Sequence, residues 1–152
     1  MRIEQKITIE APRHLVWQYV TEPANYPVFM DGLTRWEVEG ERHAGLGARY
    51  RMLIRVGAAE VGGLIEVVEW QPEGDMAWSS VTGVDQRGRW RLREQSDGST
   101  QVTFRFAYGV PGIGLTGVLA EHVAARSLRR RFRDSLRNIK AAVEDRAELS
   151  RR

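Results

Sequence analysis

Imidazole is the side chain whose ordinary pKa falls at working pH, and this 152-residue chain has three, His14, His43 and His122. His122 stands six residues before Leu128, on or beside an apolar stripe, where a general acid or base would face an enclosed ligand. A lone histidine with no nucleophile at a fixed spacing specifies no reaction. The competing reading is therefore a partly exposed helical residue, and His122 is carried forward as a candidate catalytic group and ligand contact. His14 and His43 fall in a first helical turn and at a strand end, both solvent-facing places. Glu121, Arg126 and Tyr108 could gather with His122 at an opening, but Glu121 and Arg126 also read as surface charge, and no triad follows. The chain has no cysteine, which removes disulfides and thiolate zinc sites. A three-histidine site would need all three imidazoles to converge, and neither a metal nor a cofactor is expected.

Tyr50, Met52, Ile54, Trp78, Trp90, Phe104, Phe106 and Tyr108 fall at positions compatible with one face of several strands, and Leu119 and His122 fall on a following helix. Such a set lines a pocket or fills a core, since a curved sheet places large side chains on its concave face in either case. Ser80 and Thr82 share parity with Trp78. Hydroxyls among aromatics resemble the few orienting groups of a small-molecule site.

Other chemistries find less support. Arg126, Arg129, Arg130, Arg131, Arg133 and Arg137 form a dense basic run, but Arg129, Arg133 and Arg137 lie opposite an apolar stripe and no stacking aromatics interrupt them. A solvated helix face is expected, without nucleic-acid binding. The segment from Gly109 to Gly117 resembles a glycine-rich phosphate loop, yet it lacks the P-loop lysine and follows an antiparallel strand. It reads as a rim that can open for a ligand. Residues 1–120 carry 13 cations and 15 anions, and residues 121–152 carry 10 and 5, so the basic excess is C-terminal. The N-terminus lacks a signal-peptide core and no uncharged stretch is long enough to span a bilayer, so a cytoplasmic protein without membrane insertion is expected.

The elements that must position these residues follow from periodicity. Ile3, Ile7 and Ile9 alternate with mostly polar residues as in a half-buried strand. Residues 11–20 change to helical spacing with Pro12 in the first turn, and Pro23 and Pro27 break that helix before a second short one. Six strands are predicted near 35–42, 47–57, 60–70, 75–82, 87–95 and 100–109, with Ser96 to Ser99 as a hairpin turn. From Gly117 to about Glu148, Leu128, Phe132, Leu136, Ile139 and Val143 recur at spacings of four and three, an amphipathic helix. With no linker or repeat, residues 1–152 read as one α+β domain. Its curved antiparallel sheet of about seven strands wraps around the long C-terminal helix, with two short helices after the first strand.

The order of elements and the local wording resemble the START-like superfamily, in particular its bacterial polyketide cyclase/dehydrase branch with the helix-grip fold. The matching phrases are Ile9 to Trp17, Thr21 to Pro27, Gly45 to Gly47, Glu69 to Pro72 with Met76 to Trp78, and Gly98 to Val102, with Leu136 to Glu144 closing the helix. The resemblance implies a cavity between sheet and helix that holds a small hydrophobic molecule, polycyclic, lipid-like or polyketide-like. It also implies an alternative, an enzyme that cyclises and dehydrates a polyketone in that cavity. No catalytic residue carries over, because Asp31 to Leu33 and Val67 to Trp70 hold no matching Tyr or Arg. A third reading is a protein-interaction module with a closed core, and cavity volume separates it from the other two. Oligomeric state is not legible.

Overall fold

The computed structural model describes residues 1–109 and 115–152, apart from the side chains of residues 115–123. Strand β1 (Arg2–Ile9) is followed by helix α1 (Arg13–Thr21), a short 3-10 turn (Pro23–Asn25) and helix α2 (Tyr26–Phe29). The meander comprises β2 (Leu33–Glu39), β3 (Arg49–Val56), β4 (Ala59–Gln71), β5 (Asp75–Ser80), β6 (Gln86–Glu94) and β7 (Thr100–Tyr108), and helix α3 (Leu115–Ser150) ends the chain. All seven strands form one antiparallel sheet in the order β1-β7-β6-β5-β4-β3-β2. This is the expected helix-grip architecture.

Local chemistry accounts for each element. Pro12 caps α1 from outside in an extended conformation (φ −63°, ψ 150°), one step earlier than the expected first-turn position. Pro23 opens the 3-10 turn, whose first free N–H, on Ala24, donates to the Glu22 carboxylate at 3.1 Å. On β3, Tyr50, Met52 and Ile54 are buried, while Arg49, Arg51 and Arg55 point outward to Glu66, Glu39 and Glu60. An extra residue, Val68, bulges from β4 between the pairs Val67↔Trp78 and Glu69↔Ala77, so the alternation of that strand changes parity there. On α3, Leu128, Phe132, Leu136, Ile139, Val143 and Ala147 are buried in the core cluster with the concave face, and Ala125 is buried as well. Each of the larger side chains in that stripe contributes roughly 1.5–3 kcal/mol on burial.

One boundary differs from the sequence reading in a way that matters to the site. The expected strand 75–82 ends at Ser80, where the N–H groups of Val81 and Thr82 both donate to the Leu64 carbonyl, at 2.7 and 3.3 Å, and the regular ladder with β4 stops. A Cβ on Gly63 would sit 2.2 Å from the carbonyl oxygen of Thr82, and Val84 N donates to the Gly62 carbonyl at 3.1 Å. Thr82 is thereby turned into an exposed bend. In exchange, β6 starts at Gln86 instead of Arg87 and places the Gln86 side chain in the interior.

Candidate functional site

The concave face holds two adjoining spaces. The inner one is an apolar cavity of about 40 Å³ between Tyr50, Met52 and Ile54 of β3, Trp78 of β5, Phe104 and Phe106 of β7, and Phe132 of α3. The outer one is a hollow of about 330 Å³ at the open end of the sheet, with Val56, Val61, Val84, Tyr108, Ala124 and Leu128 among its walls. Ile54, Gln86 and Phe106 line both, so they form the partition between them. Side chains nearly fill the inner space, whereas the outer one reaches the scale of small-molecule sites, roughly 300–1,000 Å³.

One wall of the inner cavity is a stack of three rings. Tyr26 lies 4.5 Å from Trp36, and Trp36 lies 4.7 Å from Tyr50, centroid to centroid. Their polar atoms are committed to backbone: the Tyr26 hydroxyl donates to Val20 O at 2.8 Å, Trp36 Nε1 to Pro23 O at 2.8 Å, and the Tyr50 hydroxyl to His43 O at 2.8 Å. Burial pushes the Tyr26 phenol well up. Burial, with the Glu22 carboxylate adding to it, pushes Tyr50 up to about 12. Burial therefore favours the protonated form of both phenols, which donate to the backbone.

Gln86 is the polar exception. It is buried, and its Nε2 donates to the thioether of Met52 at 3.4 Å, a weak acceptor for an amide. Its backbone N–H donates to the Ser80 hydroxyl at 3.2 Å, which fixes the start of β6. The carboxamide thus sits on the partition with hydrogen-bonding capacity left over for a third party.

The residues singled out in the sequence divide accordingly. Tyr50, Met52, Ile54, Trp78, Phe104 and Phe106 come together around the inner cavity, and Tyr108 lines the outer hollow. Trp90 is fully buried between Phe29 and Phe104, with Nε1 donating to the Tyr26 hydroxyl at 3.1 Å, and is packing rather than lining. Ser80 holds Gln86 in place behind the wall, and Thr82 is exposed at the bend. Leu119 and His122 belong to α3, and their side chains lie outside the described residues. His14 is exposed, and His43 meets Glu22 on the surface at 2.8 Å. Among the described residues no three His, Asp or Glu side chains gather as metal ligands, and no helix is long and apolar enough to cross a membrane.

Several lining residues escape the sequence reading. Tyr26, Met30 and Trp36 come from the segment around α2, where proline breaks obscure any period, and Gln86 falls in the predicted turn before β6. The close approach of Gly63 to Thr82, beside which β5 ends and Gln86 joins β6, depends on a pairing of distant segments that no local pattern reveals.

Comparison with known proteins agrees with this geometry. The family model described as polyketide cyclase / dehydrase and lipid transport matches residues 1–144. The chain belongs to that family. Among solved structures, TTHA0849 from Thermus thermophilus superposes with a TM-score of 0.82 at 18% identity, over 97% of this chain and 99% of that one. The ZhuI aromatase/cyclase from Streptomyces sp. R1128 gives 0.80 at 19% identity, over 96% and 94%. A START superfamily protein from Mycobacterium smegmatis gives 0.65 at 12% identity, over 97% of each chain. At these identities the likeness is one of fold. No curated protein matches the sequence.

Proposed function

We propose that this member of the family binds a small hydrophobic molecule whose bulk occupies the outer hollow and whose leading edge enters the inner cavity past Gln86. The observation that carries this reading is the outer hollow itself, about 330 Å³ and continuous with apolar walls, which a closed interaction module would not leave open. Gln86 gives the ligand one polar anchor, a hydroxyl or carbonyl that the carboxamide can meet as acceptor or donor. A flat aromatic or polyketide-like skeleton fits walls made of Phe106, Tyr108 and the rings behind them.

The cyclase/dehydrase alternative asks the same pocket to move protons. The titratable groups that line the inner cavity among the described residues are the phenols of Tyr26 and Tyr50, and both hydroxyls already donate to backbone carbonyls, which supports binding over proton transfer from these two groups. Native mass spectrometry of protein purified from its own host, followed by extraction, would identify a co-purifying ligand. Titration with the apolar fluorophore N-phenylnaphthylamine tests the place: Ala124→Phe, which fills the outer hollow, is expected to weaken probe binding about tenfold or more with far-UV circular dichroism unchanged. Equal affinity in the variant would remove the outer hollow from consideration.

A further inference from the structure

The convex face of the sheet carries a second concavity, about 370 Å³, separated from the ligand cavity by the thickness of the sheet. Its floor is made of small side chains, Ala77 and Ser79 of β5 and Ala107 of β7, and its walls include Arg2, Arg87, Arg89 and Arg105 with a single carboxylate, Glu69. The lining is thus four cations against one anion, a net of +3, equal to the net charge of the whole chain.

The register explains how this charge is held. Arg89 and Arg105 stand directly opposite each other on β6 and β7, an arrangement in which like charges repel. Glu69 and Asp75 draw Arg89 to one side, the latter at 2.9 Å, and Glu4 draws Arg105 to the other at 3.1 Å. In the next row, Arg87 and Arg2 flank Ala107 on either side, about 10 Å apart along the row by two strand spacings. Both are exposed, and among the described residues neither has an ion pair or side-chain hydrogen bond. Carboxylates have therefore claimed Arg89 and Arg105 from the sides, while two guanidinium forks remain unspent across a floor of small side chains.

We propose that this basin binds the phosphate group of a small phosphorylated molecule, with Arg87 and Arg2 as its principal donors. A phosphate or diphosphate brings close to two charges or more and several acceptor oxygens, which two or more planar forks can engage at once. A carboxylate brings one charge and two acceptor oxygens, less than a phosphate offers to two exposed forks.

The test is a titration of the ¹⁵N-labelled full chain with inorganic phosphate and with pyrophosphate at low ionic strength, following arginine Nε–Hε and backbone amide signals. Saturable shifts at Arg2, Arg87 and the Ala107 amide are expected, with affinity falling steeply between roughly 20 and 200 mM salt. Arg87→Ala and Arg2→Ala should each weaken pyrophosphate about tenfold. Arg87→Lys, which keeps the charge and loses the fork, should give an intermediate affinity, and Arg51→Ala, on the same face at β3, should change nothing. Shifts that do not saturate, or that spread alike over Arg51 and Arg55, would overturn the proposal, as would unaltered affinity in Arg87→Ala. Sedimentation with vesicles containing phosphatidic acid separates the sources. Retention on vesicles with no response to pyrophosphate would reassign the basin to a membrane surface and defeat the small-molecule reading.

Discussion

A methyl group added to Gly88 would lie 1.9 Å from Cζ2 of Trp78, its cross-strand partner on β5. The indole of Trp78 occupies the space that any other residue at position 88 would claim, and Trp78 in turn stacks on Phe104 at 5.7 Å and lines the inner cavity. Gly88→Ala therefore acts on both packing and site. The ring must swing off Gly88, and the open direction is the cavity. We expect a loss of about 2–3 kcal/mol in urea unfolding, toward the upper end of overpacking costs, together with weaker binding of the apolar probe. Wild-type stability in that variant would mean that Trp78 does not rest on Gly88. The same logic explains why Gln86 carries more weight than the hydroxyls that stand out in the sequence. A carboxamide facing a thioether is a buried polar group with little to lose and a ligand to gain, whereas Ser80 is already committed to the backbone.

At the scale of elements, the long helix is fastened by polar contacts to α2, to the turn after it and to the end of β3. The Asp31 N–H donates to Ser135 Oγ at 2.8 Å, Arg131 Nη1 to the Asp31 carboxylate at 3.2 Å, Arg131 Nε to Arg55 O at 2.9 Å, and Asn138 Nδ2 to Phe29 O at 3.1 Å. Ser135 is buried, so Ser135→Ala leaves the Asp31 amide without its acceptor. A cost of about 1–2 kcal/mol is expected, with faster hydrogen exchange at Asp31; unchanged exchange there would show that the latch contributes nothing. None of these contacts is legible in the sequence, although the helix itself is. The stripe from Leu128 to Val143 and the alternation of β3 and β7 each repeat a single local period, and such periods survive folding intact. The edges of β5 and β6, the bulge at Val68 and the latch at Ser135 arise from contacts between segments far apart in sequence, where no period operates. Tyr26 and Trp36 escape notice for the same reason: the ring stack that walls the cavity joins α2 to β2 and β3, and nothing in either segment alone announces it.

For the molecule as a whole, the division between an apolar concave face and an arginine-rich convex one sets the response to acid. Asp75, largely buried on the convex side, is the hub: Arg93, Arg89 and Arg91 approach its oxygens at 2.9, 2.9 and 3.3 Å. Burial alone would raise its pKa, but the hydrogen bonds from Arg93, Arg89 and Arg91 outweigh it and hold the carboxyl below its ordinary value. Glu69 is lowered chiefly by its hydrogen bond from Arg89. Carboxylates with depressed folded pKa values bind fewer protons in the folded state than in the unfolded one. Their stabilisation is complete above the unfolded values near about pH 4 and is lost as pH falls through the folded values. Stability measured by urea unfolding should therefore be flat above about pH 5 and decline below about pH 4. Asp75→Asn keeps the shape but removes the charge that three guanidinium groups share. It is expected to cost about 1–3 kcal/mol at neutral pH, and much less at pH values where the parent carboxyl is itself protonated, so the two stability curves converge in acid. Curves that stay parallel down to the lowest measurable pH would mean that this hub does not hold the sheet together through its charge.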